Sequence, residues 1–143
     1  MGLTVRDAEV ADAQAIADLL GQLGYPTQSS TVSARLARLV IVGDRVVVAD
    51  LDGRAVGLAH LQVAPAIELD GPVAKIGALV VDEAHRGRGI GRALVDALED
   101  EARTRGCAVL FLTTADGRDD AHAFYERLGL EQTGRRYGRT LSE

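Results

Sequence analysis

One short segment constrains the fold of this chain more than any other: from Arg86 to Arg92 every second residue is glycine, and three of the remaining four residues are arginine. The preceding segment, Val73 to Val81, is apolar and rich in valine, which predicts a buried β-strand. In the following segment, Gly89 to Arg105, apolar residues recur every four positions, which predicts a helix with one buried face. The sequence therefore predicts a strand, a glycine-rich turn and a helix that begins at that turn.

A turn at this position has the properties of an anion-binding site. The first N–H groups of a helix lack partners within it and carry the positive end of the helix dipole, so phosphate oxygens bind well where side chains are absent. Gly87, Gly89 and Gly91 remove side chains, and Arg86, Arg88 and Arg92 beside them add positive charge. Glycines in a turn can also serve backbone conformation alone, but three glycines alternating with arginines favour anion binding.

The two common nucleotide-binding motifs fit this turn poorly. A Walker loop needs a Lys followed by Ser or Thr after its second glycine, and the turn contains neither. A dinucleotide fingerprint that begins at Gly87 needs a third glycine where Arg92 stands. The predicted next strand also ends in Leu112 and Thr113, without the acidic residue that binds a ribose.

The hydrophobic pattern predicts one α/β domain over residues 1–143, in the order β-α-α-β-β-β-α-β-α-β. Strands are predicted over Leu3–Arg6, Arg45–Leu51, Ala55–Val63, Val73–Val81, Ala108–Thr113 and Thr133–Leu141. The fourth of these is predicted to be buried on both faces, and the fifth is also predicted to be buried. Helices are predicted over Asp7–Gly24, Gly89–Arg105 and Asp119–Leu128. A further helix is predicted to follow the first one, with Ser30 or Thr31 as its N-cap and Val40 on its inner face. Asp52-Gly53 predicts a tight hairpin turn. Such an order is typical of a mixed sheet covered by helices.

Composition excludes several classes of function. A formal charge of −5 argues against nucleic-acid binding, which needs a basic surface. No run approaches the roughly 18 apolar residues of a membrane span, and the charged N-terminus lacks the apolar stretch of a secretory signal, so we expect a cytoplasmic protein. The histidines His60, His85 and His122 lack the spacing of metal ligands, so no metal is expected.

The glycine-rich turn resembles motif A of the GNAT superfamily of N-acetyltransferases, written Arg/Gln-x-x-Gly-x-Gly/Ala and matched here by Arg86-Gly-Arg-Gly-Ile-Gly91. The segment Ala123-Phe-Tyr-Glu-Arg-Leu-Gly-Leu130 resembles motif B of the same family, and the predicted element order is similar to the family's. This resemblance implies a mixed α+β fold, in which a central mixed sheet is flanked by helices. It also implies an enzyme that transfers an acetyl group from acetyl-CoA to an amine.

The resemblance also implies roles for individual residues. Backbone N–H groups from Gly87 to Arg92 would hold the pyrophosphate of coenzyme A, the fourth strand would pair with the pantetheine arm, and the N–H of Val81 would polarise the thioester carbonyl. The implied cofactor-binding residues are Leu79, Val80, Val81, Arg86, Gly87, Arg88, Gly89, Ile90, Gly91 and Arg92. Tyr125 occupies the position of the family's general acid, although it could also simply pack beside Phe124.

The acceptor side of the site has no clear motif. Where the family often has an acidic base, this chain reads Ile76-Gly77-Ala78, and Glu68 in the preceding loop is the nearest substitute. The acceptor pocket would involve residues 23–33, including Tyr25, and residues 133–141. Three functions stay open: transfer to a small-molecule amine, which we favour; transfer to a protein N-terminus or lysine; and acyl-CoA binding without catalysis. We expect the last strand either to pair between chains or to pack on a second copy, which predicts a homodimer.

Overall fold

A computed structural model of the chain describes residues 2–113, 119–134 and 136–142. These residues form two compact units, one ending at Leu112 and the other beginning at Thr113. Each unit is described separately below. The prediction of a single domain over residues 1–143 stays a prediction.

The first unit contains a five-stranded sheet whose strands lie in chain order. The strands are β1 (Leu3–Asp7), β2 (Arg45–Leu51), β3 (Arg54–Ala64), β4 (Val73–Val81) and β5 (Val109–Leu112). The first four strands pair antiparallel, while β4 and β5 pair in parallel. The predicted mixed sheet is therefore confirmed. The hairpin turn between β2 and β3 is also confirmed, because Asp52 and Gly53 both have positive φ, 52° and 92°.

Helices cover both faces of this sheet. α1 (Ala13–Leu23) and α2 (Ser29–Ile41) pack on one face, where they bury a core of Ile16, Ala17, Leu19, Val32, Val48, Leu58 and Val80. α3 (Ile90–Thr104) covers the opposite face. A Cβ placed on Gly57, the neighbour of Leu58 in β3, would lie 3.0 Å from the Leu94 side chain, and adjacent strand residues point to opposite faces.

The first two helices differ from their predicted limits. Asp7 belongs to β1, where it pairs with Val47, and a 3₁₀ turn from Val10 to Asp12 separates it from α1. The helix therefore starts later than Asp7. α2 starts at Ser29 with Gln28 in the cap position, so neither Ser30 nor Thr31 is the cap.

Two predictions about burial are also wrong. Val40, expected on the inner face of α2, is 71% exposed, because it lies in the last turn of the helix, beyond the core. β5, expected to be buried, has half-exposed residues, including Val109. Its position at the end of the sheet order explains this, because an end strand has a neighbour on one side only.

The second unit contains α4 (Asp119–Arg127), which agrees with the predicted helix and is followed by Gly129 at φ 85°. The predicted last strand is absent: residues 131–134 and 136–142 have no regular secondary structure. Two glycines, Gly134 and Gly138, interrupt this segment, and its apolar side chains Tyr137 and Leu141 are exposed. A segment that buries so little cannot offset the entropy cost of ordering a strand. Among the helices of the described ranges, none is both long and apolar enough to cross a membrane.

Candidate functional site

The turn between β4 and α3 presents a backbone surface without side chains. Gly87 and Gly89 have φ of 80° and 82°, a left-handed conformation that favours glycine. A Cβ at either position would meet no heavy atom within 4 Å, so the space beside both is open. Gly89 is the N-cap of α3, and the N–H groups of the following first turn have no acceptor within the helix. This geometry fits the binding of an anion.

Three arginines surround this surface. Arg86, Arg88 and Arg92 are all exposed. The Nε atom of Arg86 donates a hydrogen bond to the carbonyl oxygen of Val81, 3.1 Å away. This bond holds the start of the turn against the end of β4 while the guanidinium group stays at the surface. The positive charge therefore lies beside the N-terminus of α3, where it favours an anion further.

A network centred on Asp82 fixes the path of the chain from β4 into the turn. One carboxylate oxygen of Asp82 accepts a 2.8 Å hydrogen bond from Nε2 of Gln22 in α1, and the other lies 2.7 Å from Nδ1 of His85. Gln22 in turn accepts a hydrogen bond from the backbone N–H of Glu83. The hydrogen bond from Gln22, followed by that from His85, lowers the pKa of Asp82 below its ordinary value. No local sequence pattern predicts this network, because Gln22 lies 60 residues before Asp82 in the chain.

The strand leading to the turn has an edge that is only partly covered. β5 pairs with β4 from Val73 to Ile76 only. Within the described part of the chain, no strand pairs with this edge of β4 between Gly77 and Val81. β5 ends at Leu112, opposite Ile76, so among the described strands a gap lies beside β4 from Gly77 to Val81, and this opening is at the end of β4 nearest the glycine-rich turn.

Backbone groups of β4 are directed into this gap. The N–H of Asp82 donates to the carbonyl of Val56 in β3, 2.8 Å away. Because backbone groups alternate along a strand, those of Val81 and Leu79 point away from β3 and those of Val80 point toward it. The prediction that β4 is buried on both faces is wrong here. Val80 is 5% exposed, whereas Leu79 and Val81 are half-buried, because their face of the strand is incompletely covered.

Other predicted site residues lie at several places. Ile90 is buried in the core, so only its backbone faces the turn. Glu68 is exposed in the loop that precedes β4, at the opposite end of that strand from Val81. Tyr25 is 65% exposed after α1. In the second unit, Tyr125 is half-buried on α4 and makes an edge contact with Phe124, with ring centroids 5.5 Å apart.

Sequence reasoning also missed a pair formed by His60 and Asp44. Nε2 of His60, on β3, lies 2.9 Å from a carboxylate oxygen of Asp44, which stands between α2 and β2. Both side chains are largely buried, with 16% and 9% exposed. Across the described ranges, His, Cys, Asp and Glu side chains form no group of three that could hold a metal ion.

Comparison with known proteins shows the family. The profile of the Acetyltransferase (GNAT) family matches residues 14–130. A glucosamine 6-phosphate N-acetyltransferase of Trypanosoma brucei brucei is 33% identical to this chain over 132 residues, which cover 89% of this chain and 88% of that protein. The relationship therefore extends over nearly the full length of both chains.

Solved structures show the same fold. The crystal structure of a Trypanosoma brucei acetyltransferase superposes with a TM-score of 0.84 at 28% identity, covering 97% of this chain and 99% of that one. An aminoglycoside N-acetyltransferase in complex with CoA superposes with a TM-score of 0.84 at 20% identity, covering 98% of this chain and 95% of that one. From the profile match, the relative and the shared fold, this chain belongs to the acetyltransferase (GNAT) family and is an N-acetyltransferase.

Proposed function

We propose that the chain transfers an acetyl group from acetyl-CoA to a primary amine of a small molecule. The observation that carries this proposal is the part of the β4 edge that pairs with none of the described strands and that leads directly into the glycine-rich turn. An acyl-CoA has a phosphate-bearing end and an amide-containing arm, and these need an anion site followed by strand-like hydrogen-bonding groups. The turn and the edge offer both in that order.

In this proposal the pyrophosphate binds the N–H groups of the turn from Gly87 to Arg92, with the arginines beside it. The pantetheine arm lies along the edge of β4 and pairs with backbone groups of Leu79 and Val81. The backbone N–H groups of Leu79 and Val81 both point away from β3 and are the donors on this edge that can polarise the thioester carbonyl. Val80 contributes the strand's rigidity, because its own backbone groups point toward β3.

Transfer requires attack by a neutral amine and departure of a thiolate. Amines of the lysine type have a pKa of about 10.4 and are protonated at neutral pH, so a proton must first be removed. The leaving sulfur departs more readily if it is protonated as the C–S bond breaks. We assign this second role to Tyr125, whose hydroxyl group can donate a proton.

The similarity to a glucosamine 6-phosphate N-acetyltransferase favours a small-molecule acceptor. Transfer to a protein N-terminus or lysine is the second candidate, and acyl-CoA binding without turnover is the third. A cytoplasmic location and a homodimer stay predictions. The strand that was expected to pair between chains is absent from residues 131–134 and 136–142, so a dimer would need another surface.

The test is a thiol-release assay with acetyl-CoA and a panel of acceptors: glucosamine 6-phosphate, a polyamine, an aminoglycoside, free amino acids and peptides with free N-termini or lysines. We expect acetyl transfer to one class of small amine. Turnover on peptides alone would favour the second candidate. Calorimetric binding of acetyl-CoA with no thiol release for any acceptor would favour the third.

A further inference from the structure

The His60–Asp44 pair fixes which nitrogen of the imidazole ring carries a proton. An ionised carboxylate can only accept hydrogen bonds, so Asp44 accepts the proton on Nε2 of His60, 2.9 Å away. In a neutral ring this arrangement leaves the lone pair on Nδ1. Asp44 is held in turn by its own backbone, because its N–H donates to the carbonyl of Leu39 in α2. The pair therefore presents a proton-accepting nitrogen in a defined direction.

That nitrogen faces the position on β4 where Gly77 has no side chain. The register of β3 and β4 shifts by one residue here: Ala59 pairs with Leu79, but Leu61 pairs with Ile76. Two residues of β4, Gly77 and Ala78, therefore stand opposite His60, as in a β-bulge. A Cβ on Gly77 would lie 3.0 Å from Nδ1 of His60. Glycine therefore leaves Nδ1 uncovered on this side.

Gly77 also lies at the start of the part of the β4 edge that pairs with none of the described strands. Ile76 is the last residue of β4 that pairs with β5, and Gly77 follows it directly and is exposed. Leu79, whose backbone groups point into the opening, is two residues from Gly77, about 7 Å along the strand. This distance leaves room for an amine between Nδ1 of His60 and a thioester lying on the edge of β4.

We propose that His60, oriented by Asp44, is the general base that removes a proton from the acceptor amine. This inference rests on the proposed function. It assigns a role that the sequence left open, since Ile76-Gly77-Ala78 contains no carboxylate. In this proposal β3 supplies the base, His60, and β4 leaves space for it because Gly77 has no side chain.

Charged groups near the imidazole are compatible with this role. Asp44 lies on one side of the ring. Gln62 is two residues beyond His60 on β3, so both lie on the same face, and Lys75 of β4 pairs with Gln62 on that face. The carboxylate of Asp44 stabilises the imidazolium that forms when Nδ1 accepts a proton, and the ammonium group of Lys75 opposes it. The direct hydrogen bond makes Asp44 the nearer partner.

The protons of the reaction balance with this assignment. Nδ1 of His60 takes one proton from the substrate ammonium, and the nitrogen lone pair then forms a bond to the thioester carbon. The C–S bond breaks with its electron pair on sulfur. The ammonium loses two protons in all: the equivalent of one reaches sulfur by way of Tyr125, and the other leaves through His60 to the solvent. The products are an amide, a free thiol and one proton.

The test compares His60→Gln with the parent protein in the thiol-release assay, using an acceptor that the parent acetylates. Glutamine can still donate to Asp44 from its amide nitrogen but offers no basic nitrogen. We expect kcat/KM at neutral pH to fall about 100-fold or more. The loss should shrink as the pH rises toward the pKa of the amine, because the acceptor then reaches the site already neutral. Asp44→Asn should give a smaller loss with the same pH trend.

The outcomes separate this inference from the proposed function. Gln14→Ala, an exposed change on α1, serves as the control and should retain the parent rate. A histidine that only stabilises the fold would lower the melting temperature of His60→Gln and leave the pH profile per folded molecule unchanged, which would overturn the proposal. The proposal is also overturned if Glu68→Gln shows the pH-dependent loss of kcat/KM and His60→Gln does not. If the parent itself releases no thiol with any amine, the proposed function fails and this role for His60 fails with it.

Discussion

The side-chain amide of Gln22 donates a 2.8 Å hydrogen bond to Asp82, across a separation of 60 residues in the chain. Gln22 lies on α1, and Asp82 is the first residue after β4. The bond therefore ties a helix on one face of the sheet to the segment that leads into the glycine-rich turn. The positions of the N–H groups in the turn depend on this contact as well as on the local backbone.

We predict that Gln22→Leu weakens acetyl-CoA binding several-fold, because Asp82 loses one of its hydrogen bonds and Glu83 loses the acceptor of its N–H. Calorimetric titration of acetyl-CoA measures the change. Gln14→Ala is the matched control, since the exposed side chain of Gln14 donates its hydrogen bond to Asp18 on the same helix. Equal affinities for the parent and Gln22→Leu would show that the turn keeps its shape without this contact.

A second prediction concerns the glycines. Gly89→Val should weaken acetyl-CoA binding at least tenfold, which corresponds to about 1.4 kcal/mol, because the side chain would enter the open space beside the turn. The same change at Gly91, in the first turn of α3, should act in the same direction.

A pair of alanine variants, Gly89→Ala and Gly106→Ala, serves as the control that separates backbone strain from loss of the binding surface. Both glycines have positive φ, 72° and 82°, and open space around them, and they lie at opposite ends of α3. Each substitution should cost about 1 kcal/mol of stability through backbone strain. Only Gly89→Ala should weaken binding. An equal loss of affinity in both variants would attribute the effect to strain and not to the anion site.

The third prediction concerns Tyr125. Tyr125→Phe retains the ring and its contact with Phe124 but removes the hydroxyl proton. Turnover should fall roughly 100-fold to 10,000-fold, in kcat and kcat/KM together, while acetyl-CoA affinity is unchanged. Melting temperature, cofactor affinity and turnover should be measured on the same sample. Turnover within about threefold of the parent, a small fraction of the effect expected of a general acid, would remove Tyr125 from the mechanism.

The fourth prediction concerns stability in acid. Asp12 is buried and accepts two hydrogen bonds from Arg6, 2.9 Å each. These bonds lower the pKa of Asp12 below its ordinary value of 3.8, against the opposing effect of burial. A carboxyl group whose pKa is lower in the folded state stabilises the fold above its unfolded-state pKa, and this contribution is lost as the pH falls below it. The protein should therefore lose stability below a pH of about 3.8.

Arg6→Gln tests this assignment. Removing the guanidinium leaves Asp12 buried without its charged partner, which should cost about 2 kcal/mol at neutral pH. The difference from the parent should be smaller at pH 3 than at neutral pH, because the stability that the lowered pKa of Asp12 contributes is lost as the pH falls. Urea unfolding at the two pH values measures the difference in the free energy of unfolding. The control is Arg103→Gln, which removes an exposed ion pair within α3 and should change stability by less than about 0.5 kcal/mol. A cost that is the same at both pH values would contradict the assignment.

Much of the fold follows from local sequence. The strands β2 and β4 have the predicted limits, Arg45–Leu51 and Val73–Val81, because apolar runs and turn residues act over a few positions. The pair Asp52-Gly53 closes the hairpin because these residues tolerate positive φ. The glycine-rich turn and the start of α3 follow for the same reason.

Features that depend on distant partners could be found only in the tertiary structure. The hydrogen bond from Gln22 to Asp82 and the pair formed by His60 and Asp44 join separate elements, and no local pattern marks them. The absence of a strand over residues 131–134 and 136–142 also depends on distant parts of the chain, since a strand is stable only with a partner strand and a buried face. By itself the sequence determined most of the helices and strands and the glycine-rich turn, because these depend on backbone preference and hydrophobic period. The tertiary structure decided which side chains meet at the opening of β4, because register and packing bring them together.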